Sequence, residues 1–230
     1  MINTPARPIA RPSQYSAILF DCDGVLVDSE PLTMRVLRDM LAQRGWDMPL
    51  RECMHIFVGK ATRDEAALIE AKTGQPFTQE WLHQFWAARD VALRAELQPI
   101  AGAAHIVQQA HAATNGRIAC VSGADRAKIA LQLGKTGLLP WFEGRIYSGH
   151  ETPRNKPHPD VYLAAMQGLQ VPPAQCLVLE DTLTGIRAAA AAGATTIAYR
   201  TPHTPLLTPE QLLQAGAVAV IGDVRDLAQH

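Results

Sequence analysis

Short apolar runs recur along the chain, and each is bounded by Gly, Pro, Asp or Ser. The clearest runs lie at 17–20, 117–121, 145–148, 176–179, 195–199 and 218–221. Compact runs of this kind are typical of strands that are buried on both faces of a parallel sheet. From residue 117 onward, the segments between the runs have helical spacing: Leu183, Ile186 and Ala190 share one face, and Gly193 suits a C-cap. The alternation predicts a doubly wound, Rossmann-like parallel α/β sheet.

The segment 30–98 departs from this rhythm, because it has helical periodicity throughout and lacks a strand-like run. Two apolar stripes run through it: Leu32, Val36, Leu37, Met40 and Leu41, and then Leu82, Phe85, Trp86, Leu93 and Leu97. Their aromatic and Met side chains are expected to form a helical core. We therefore predict a small all-helical domain at 30–98, inserted after the first strand of an α/β core that comprises 17–29 and 99–230.

The N-terminal segment 1–16 carries three prolines and two arginines and lacks the apolar stretch of a signal peptide. We interpret it as a flexible tail. No run approaches eighteen uninterrupted apolar residues, so a membrane span is not expected. The expected location of the protein is the cytoplasm.

Composition narrows the classes of function. Apolar residues make up 47% of the chain, charged residues 19%, and the formal net charge is −1. These values suit a globular enzyme and give no field that would attract nucleic acid or an anionic membrane. The four cysteines form no CxxC pair and are expected to be reduced thiols. We expect a small-molecule partner, no nucleic acid and no membrane, and a monomer or weak homodimer.

The first strand runs directly into the acidic turn Asp21-Cys22-Asp23-Gly24. In an open α/β sheet, ligands bind just beyond the carboxyl ends of the strands. Two carboxylates two residues apart can both face that crevice, and a hard divalent cation such as Mg²⁺ would offset their repulsion. Gly24 frees the backbone to approach a ligand. The same acids could instead serve only as a turn or a helix cap.

Three further strand ends carry side chains that suit a phosphate group. Ser122-Gly123 offers a hydroxyl and a bare backbone amide, Lys156 offers a positive charge, and Glu180-Asp181 offers a second pair of carboxylates. Alternatively, Asp181 or Thr182 could cap the helix that begins near Leu183. Because these residues occur in order at strand ends of one sheet, together they predict a phosphoryl-transfer site, where positioning and charge neutralisation do most of the work.

With these motifs in order, the chain resembles the haloacid dehalogenase superfamily over nearly its whole length after residue 15. The resemblance lies in Asp21-x-Asp23-Gly24, Ser122, Lys156-Pro157 and Glu180-Asp181. The helical insert is similar in position and size to the cap of the branch that contains sugar-phosphate phosphatases and β-phosphoglucomutases. The implied function is a Mg²⁺-dependent phosphatase that hydrolyses a small phosphorylated metabolite, a sugar or sugar-acid phosphate.

The resemblance also implies a mechanism. Asp21 would attack phosphorus and form an aspartyl-phosphate. Asp23 would protonate the leaving alcohol and then activate the hydrolytic water. Ser122 and Lys156 would hold the phosphoryl oxygens, and Lys156 would also restrain Asp21. These four residues are the expected catalytic set.

By the same resemblance, Mg²⁺ would be bound by Asp21, by the backbone carbonyl of Asp23 and by Asp181, with Glu180 supporting it through water. The residues expected to bind substrate are Gly24, Glu30, Gly59, Lys60, Arg63 and Gly123. Two of them, the cap residues Lys60 and Arg63, would suit a second anionic group such as that of a phosphorylated sugar acid. Either side chain could equally belong to a solvated basic turn.

Other activities of the superfamily remain as alternatives. Dehalogenating and phosphonate-cleaving members lack the second acid of the first motif, so Asp23 disfavours both. The main alternative is a β-phosphoglucomutase, but members of that type usually carry a His at the position of Thr33 and Ser-Arg where this chain has Lys60-Ala61. A non-catalytic phosphate-accepting or binding module is a remote alternative, because all four motif acids are present.

Overall fold

A computed structural model of the protein describes residues 12–201 and 207–228. The strands in this part of the chain are β1 (Ala17–Phe20), β2 (Ile118–Ser122), β3 (Ile146–Ser148), β4 (Cys176–Glu180), β5 (Thr195–Tyr199) and β6 (Ala219–Ile221). They form one parallel sheet in the order β3-β2-β1-β4-β5-β6. Every residue of β1, β2 and β4 is buried, which explains why these strands read as continuous apolar runs. The predicted doubly wound α/β class is confirmed.

The strand order reverses direction on either side of β1, and this switch point positions the site. Phe20, the last residue of β1, pairs with Cys120 on β2 and with Leu179 on β4. Asp21, the first residue after β1, therefore lies level with Glu180 on β4. On β2 it lies level with Val121, one residue before Ser122. The predicted functional residues on these three strands meet at one edge of the sheet for this reason.

Helices cover both faces of the sheet. Their bounds are α1 (Glu30–Gln43), α2 (Leu50–Phe57), α3 (Ala66–Thr73), α4 (Gln79–Glu96), α5 (Ala103–Ala113), α6 (Arg126–Lys135), α7 (Asp160–Gly168), α8 (Leu183–Ala191) and α9 (Pro209–Gln214). Helices α5 and α6 pack with Ile18 and Phe20 on one face. Helices α7 and α8 pack with Leu19 and Val178 on the other. The alternation of side chains along β1 thus serves two separate cores.

Helices α1 to α4 form the helical insert, which we call the cap. The cap has a core of its own, in which Leu37, Phe57, Ile69 and Leu82 are buried. Its two connections to the α/β core run side by side: Asp28 donates its backbone N–H to the carbonyl of Gln98 at 3.0 Å. The helices of the cap all fall within the predicted range 30–98.

The structure adjusts two predicted boundaries. Strands β2 and β4 each continue one residue beyond the prediction, so Ser122 and Glu180 are their last residues. Of the predicted tail 1–16, residues 1–11 lie outside the described residues. Pro12–Gln14, by contrast, forms a 3-10 helix, and the backbone N–H of Ser16 donates to Gln175 at 2.9 Å. The core therefore begins before residue 17, because the hydrogen bond of Ser16 fixes the chain ahead of β1.

None of the helices within the described residues combines the length and the apolar character that crossing a bilayer requires.

Candidate active site

Asp21 leaves β1 at the centre of the sheet and is 5% exposed. Its backbone N–H donates to the carbonyl of Leu179 at 3.0 Å, which keeps the chain in the line of the strand. One carboxylate oxygen, Oδ1, accepts from Nζ of Lys156 at 2.6 Å. The side chain is therefore held at the carboxyl edge of the sheet by a strand on one side and an ion pair on the other.

Lys156 lies in the loop between β3 and α7. Its Nζ donates to Asp21 at 2.6 Å, to Glu180 at 2.7 Å and to the backbone carbonyl of Val121 at 3.0 Å. Burial alone would lower the pKa of this ammonium, but Asp21 and Glu180 outweigh it and raise the pKa well above its ordinary value. Because an ammonium has three N–H donors and all three are bonded, Lys156 is a fixed positive charge.

Glu180 anchors that lysine. Its Oε1 accepts from Lys156 and from the hydroxyl of Tyr162 at 2.9 Å. Its Oε2 accepts from the backbone N–H groups of Asp181 and Thr182 and from the hydroxyl of Thr182. The fully buried carboxylate thus satisfies five donors within the protein, so it orients its neighbours instead of reaching into the crevice. The hydroxyl of Thr182 also accepts from the N–H of Gly185 and caps α8, so the capping role predicted for this turn falls to Thr182.

Oxygen atoms of Asp21, Glu180 and Asp181 lie within 4.8 Å of one another. Asp181 is buried, and its Oδ1 finds no hydrogen-bond partner among the described residues. Burial and then the charges of Glu180 and Asp21 raise the pKa of Asp181 well above its usual range. Burial also raises the pKa of Asp21 to about 8, although Lys156 opposes the shift. Crowded acids with an unpaired buried oxygen fit a hard divalent cation.

The side chain of Asp23 lies outside this acidic cluster and turns toward α6. Its Oδ1 accepts from Nζ of Lys128 at 2.8 Å, from the amide of Gln132 at 2.7 Å and from the hydroxyl of Ser29. Burial opposes ionisation, but Lys128 and the other donors outweigh it and lower the pKa of Asp23 to about 2. Asp23 is therefore a carboxylate in the substrate-free site. The backbone-carbonyl contact of Asp23 with a cation stays a prediction.

The loop that carries Lys156 is tied to the end of β2. The side-chain amide of Asn155 donates to the carbonyl of Gly123 at 2.8 Å, and its oxygen accepts from the N–H of Lys156 at 2.8 Å. Ser122 is 1% exposed, and its hydroxyl accepts from the N–H of Ala124 at 3.0 Å. The hydroxyl and the bare backbone of Gly123 are thereby held beside Asp21 and Lys156 in the wall of one crevice.

A cavity of about 450 Å³ lies between this edge of the sheet and the cap. Its floor includes Asp21, Asp23 and Lys156 from the core. Its roof includes Phe57 and Trp86 from the cap. This volume falls within the range of small-molecule sites. The catalytic residues predicted from the sequence, namely Asp21, Asp23, Ser122 and Lys156, all contribute to its wall.

Most of the residues predicted to bind substrate also line this cavity: Glu30, Gly59, Lys60, Arg63 and Gly123. The two cap cations, however, already have partners. Lys60 lies 3.3 Å from Glu65, and the guanidinium of Arg63 lies 5.9 Å from the ring centre of Trp86. Glu30 is the first residue of α1, and burial with the nearby charge of Asp23 raises its pKa to about 7.

Gly24 lies against the acidic cluster. It does not contribute to the cavity wall, and its backbone N–H donates to Val27. Its φ is +80°, and a Cβ at this position would overlap Oδ2 of Asp181. Gly24 therefore makes room for the acidic cluster, because the turn after β1 passes directly against Asp181. Its contact with substrate stays a prediction.

A family model for haloacid dehalogenase-like hydrolases matches residues 15–193. The chain belongs to this family. Its match includes β1 to β4 and the whole cap. The resemblance inferred from the four motifs is confirmed.

Curated proteins are similar in sequence to this chain. The chain is 32% identical over 207 residues to a CBBY-like protein of Arabidopsis thaliana, with 82% of this chain and 64% of the relative covered. It is 26% identical over 182 residues to the 6-phosphogluconate phosphatase of Escherichia coli strain K12, with 79% and 80% covered. It is 30% identical over 233 residues to the chloroplastic protein SUPPRESSOR OF QUENCHING 1 of Arabidopsis thaliana, with 98% and 21% covered. The chain thus spans about a fifth of the last relative and slightly under two thirds of the first.

Solved structures share the fold over nearly the full length. A haloacid dehalogenase-like protein of unknown function from Agrobacterium tumefaciens str. C58 is 29% identical, with a TM-score of 0.80 and 94% and 96% of the two chains covered. A HAD family hydrolase from Deinococcus radiodurans R1 with bound phosphate and sodium is 32% identical, with a TM-score of 0.75 and 91% of each chain covered. A CbbY variant from Rhodobacter sphaeroides in complex with xylulose-(1,5)bisphosphate is 25% identical, with a TM-score of 0.75 and 94% and 96% covered.

Sequence reasoning missed several residues of the site. Lys128 and Gln132 contact Asp23, Tyr162 contacts Glu180, and Arg89 enters the cavity wall from the cap. Lys128 and Gln132 are four residues apart on α6, a spacing that places both on one helix face. That spacing is visible in the sequence, but only the packing of α6 against the end of β1 shows that this face meets Asp23.

Proposed function

We propose that the protein is a Mg²⁺-dependent phosphatase that hydrolyses a small phosphorylated metabolite, a sugar or sugar-acid phosphate, through an aspartyl-phosphate on Asp21. One observation carries the proposal. A buried carboxylate, Asp21, is fixed by a permanently charged lysine at the floor of a small cavity, beside an acid whose Oδ1 lacks a partner among the described residues. This arrangement suits attack on a dianionic phosphoryl group.

The cation would be held by Asp21, by Asp181 and by the backbone carbonyl of Asp23. Glu180 would support the site by fixing the Asp181-Thr182 turn and Lys156. When bound, Mg²⁺ would neutralise charge on the phosphoryl group and keep Asp21 ionised at neutral pH. Without a cation, the raised pKa of Asp21, about 8, leaves much of this acid protonated.

Hydrolysis then proceeds in two displacements. An oxygen of Asp21 attacks phosphorus, the bond from phosphorus to the ester oxygen breaks, and Asp23 delivers a proton to the leaving alkoxide. Water next attacks the aspartyl-phosphate, Asp23 takes a proton from it, and inorganic phosphate leaves with Asp21 restored. Lys128, Gln132 and Ser29 favour the carboxylate form of Asp23, which is the form that accepts this proton. The proton for the first step enters with the substrate or from solvent.

One feature of the cavity favours hydrolysis over phosphoryl transfer between sugar positions. Thr33 occupies the position at which mutase-like relatives carry a titratable His, and a hydroxyl cannot perform that acid–base role near neutral pH. The name of one relative, a 6-phosphogluconate phosphatase, also supports a sugar-acid phosphate as substrate. The volume of the cavity, about 450 Å³, fits a phosphorylated sugar of five or six carbons.

The test is phosphate release from 4-nitrophenyl phosphate and from a panel of sugar and sugar-acid phosphates, with Mg²⁺ and with EDTA. We expect turnover of both classes with Mg²⁺, at least about tenfold higher kcat/KM for a sugar phosphate than for the aryl ester, and background rates with EDTA. β-Glucose 1-phosphate belongs in the panel. If it became glucose 6-phosphate without net phosphate release, the chain would be a mutase, and if no ester were turned over with Mg²⁺ the phosphatase proposal would be wrong.

The position of Gly24 gives a prediction about cation binding. Gly24→Ala should raise the Mg²⁺ concentration for half-maximal activity by about 10- to 100-fold. The new Cβ would displace the carboxylate of Asp181, which is one of the proposed ligands of the cation. The measurement is a Mg²⁺ titration of phosphate release, with the Mg²⁺-dependent rise in Tm as a second readout.

Gly45→Ala is the matched control for this variant. Gly45 has a φ of +89°, and no neighbouring atom lies within 4 Å of the position that a Cβ would take, so this substitution adds backbone strain of about 1–2 kcal/mol without touching the acids. It should leave the Mg²⁺ dependence at the wild-type value. Equal shifts in the two variants would attribute the effect to strain alone and contradict the role assigned to Gly24.

A further inference from the structure

Arg89 is a buried cation of the cap that the mechanism does not use. It lies on α4, is 8% exposed and contributes to the wall of the active-site cavity. Burying a guanidinium is costly unless donors are matched by acceptors. The acceptors of Arg89 therefore decide whether its charge is fully paired within the protein.

The acceptors of Arg89 lie on one side of its guanidinium. Its Nε and Nη2 both donate to Oδ1 of Asp90, at 2.9 and 2.7 Å. The next carboxylate, that of Asp125, lies 4.0 Å from Nη2, which is beyond hydrogen-bond distance. Among the described residues, Nη1 makes no hydrogen bond. Asp90 thus fixes the plane of the guanidinium and leaves part of its five-donor set for a ligand.

A second cation of the cavity wall comes from the core. Lys128 lies on α6, its side chain is 11% exposed, and it also lines the cavity. Among the described residues its Nζ donates to Asp23 alone, so two of its three N–H donors have no acceptor in the protein. Arg89 and Lys128 are near enough to repel each other: burial and then the charge of Arg89 act to lower the pKa of Lys128, although Asp23 raises it overall. Two like charges with unused donors in one cavity wall favour an anion between them.

The other basic residues of the cavity fit this role less well. Lys60 is paired with Glu65, and its side chain is 49% exposed. Arg63 covers the ring of Trp86. Lys156 has all three of its donors bonded within the protein. A second anion would therefore gain most from Arg89 and Lys128, where the surroundings are buried and the charges are less screened.

We propose that Arg89 of the cap and Lys128 of the core form a subsite for a second anionic group, a carboxylate or phosphate, on the substrate. This inference rests on the proposed phosphatase function and deepens it: the preferred substrates are phosphate esters that carry a second negative charge. It also moves the second-anion site from the Gly59–Arg63 turn, where the sequence suggested it, to the junction of α4 and α6. Binding across this junction joins the cap to the core around a doubly anionic substrate.

The test compares matched pairs of esters. Gluconate 6-phosphate and glucose 6-phosphate differ in a carboxylate, and fructose 1,6-bisphosphate and fructose 6-phosphate differ in a phosphate. For each pair we define the selectivity as kcat/KM of the doubly anionic ester divided by that of its partner. We expect a wild-type selectivity of at least about 10 for one pair, and the pair that shows it identifies the anion. In Arg89→Gln the selectivity should fall by about 10- to 100-fold, mainly through KM.

Further variants make the result specific. Arg89→Lys should retain an intermediate selectivity, because it keeps the charge but loses the planar fork. Arg94→Gln removes an exposed arginine from the same helix and should keep the wild-type selectivity. If Arg89→Gln does not fold, Arg89→Met, which preserves the apolar stem, takes its place.

Two outcomes would overturn the inference: a wild-type selectivity near 1 for both pairs, or an unchanged selectivity in the uncharged Arg89 variants. Both are distinct from failure of the proposed function. That failure would appear as absent Mg²⁺-dependent phosphate release from every ester, including 4-nitrophenyl phosphate.

Discussion

Asp21→Asn should lower kcat for phosphate release by at least about 1,000-fold and leave the fold intact. The amide has nearly the shape of the acid but cannot form an acyl phosphate. It also resembles the neutral form of Asp21, which is well populated at pH 7 in the cation-free site because burial raises the pKa to about 8. We therefore expect a Tm without Mg²⁺ equal to or above that of the wild type, and a smaller rise in Tm when Mg²⁺ is added, since one cation ligand is lost.

The measurements are steady-state phosphate release and thermal unfolding with and without Mg²⁺. The control is Asp47→Asn, which removes an exposed carboxylate between α1 and α2. It should retain the wild-type kcat and Mg²⁺ response. Residual turnover by Asp21→Asn above about 1% of wild type would show that Asp21 is not the nucleophile. A variant that loses activity because it is unfolded would be recognised by its melting curve.

Lys156→Met should cause the largest loss of stability, about 3–5 kcal/mol at pH 7 without Mg²⁺, together with a loss of turnover. Lys156 is 7% exposed at its side chain and donates to Asp21 and Glu180. Methionine fills a similar volume but leaves both buried carboxylates without their cation. Turnover is lost because the positive charge that holds Asp21 and would offset the charge of the phosphoryl group is gone.

The pH dependence of this loss has a definite sign. Removing Lys156 raises the pKa of Asp21 further, since Lys156 is the group that lowers it in the wild type. An acid whose folded pKa exceeds its unfolded value binds more protons in the folded state, so the stability of the variant falls as pH rises from about 4, the pKa of a free Asp, toward the folded value. Urea unfolding between pH 5 and 8, followed by tryptophan fluorescence, measures this slope. Added Mg²⁺ should recover part of the stability, because a cation would again neutralise the acids.

Two companion variants test the cause. Lys72→Met removes an exposed lysine of α3 and should change the free energy of unfolding by less than about 0.5 kcal/mol. Lys156→Met combined with Glu180→Gln should be more stable than Lys156→Met alone, because the buried carboxylate of Glu180 that has lost its cation is replaced by a neutral amide. A single variant as stable as the wild type at pH 8 without Mg²⁺ would contradict a structural role for the ion pair.

Much of the fold follows from local pattern. The apolar runs of β1, β2 and β4 are continuous because these strands are buried on both faces, so their positions were predictable to within a residue. The cap was predictable because helical periodicity continues through 30–98 without a strand-like run. The boundary at residue 17 was not, because it depends on a hydrogen bond from Ser16 to Gln175, which is distant in the sequence.

The sequence by itself predicted that the motif acids, Ser122 and Lys156 meet at one edge of the sheet, because residues that follow parallel strands converge there. Only the tertiary structure decided what each residue contacts. Gly24 makes room for Asp181, and Asp23 is held by Lys128 and Gln132. Arg89, not the basic turn, is the buried cation that the cap contributes to the cavity wall. These contacts join residues far apart in the chain, and their geometry is set by how α4, α6 and β4 pack, which no local pattern encodes.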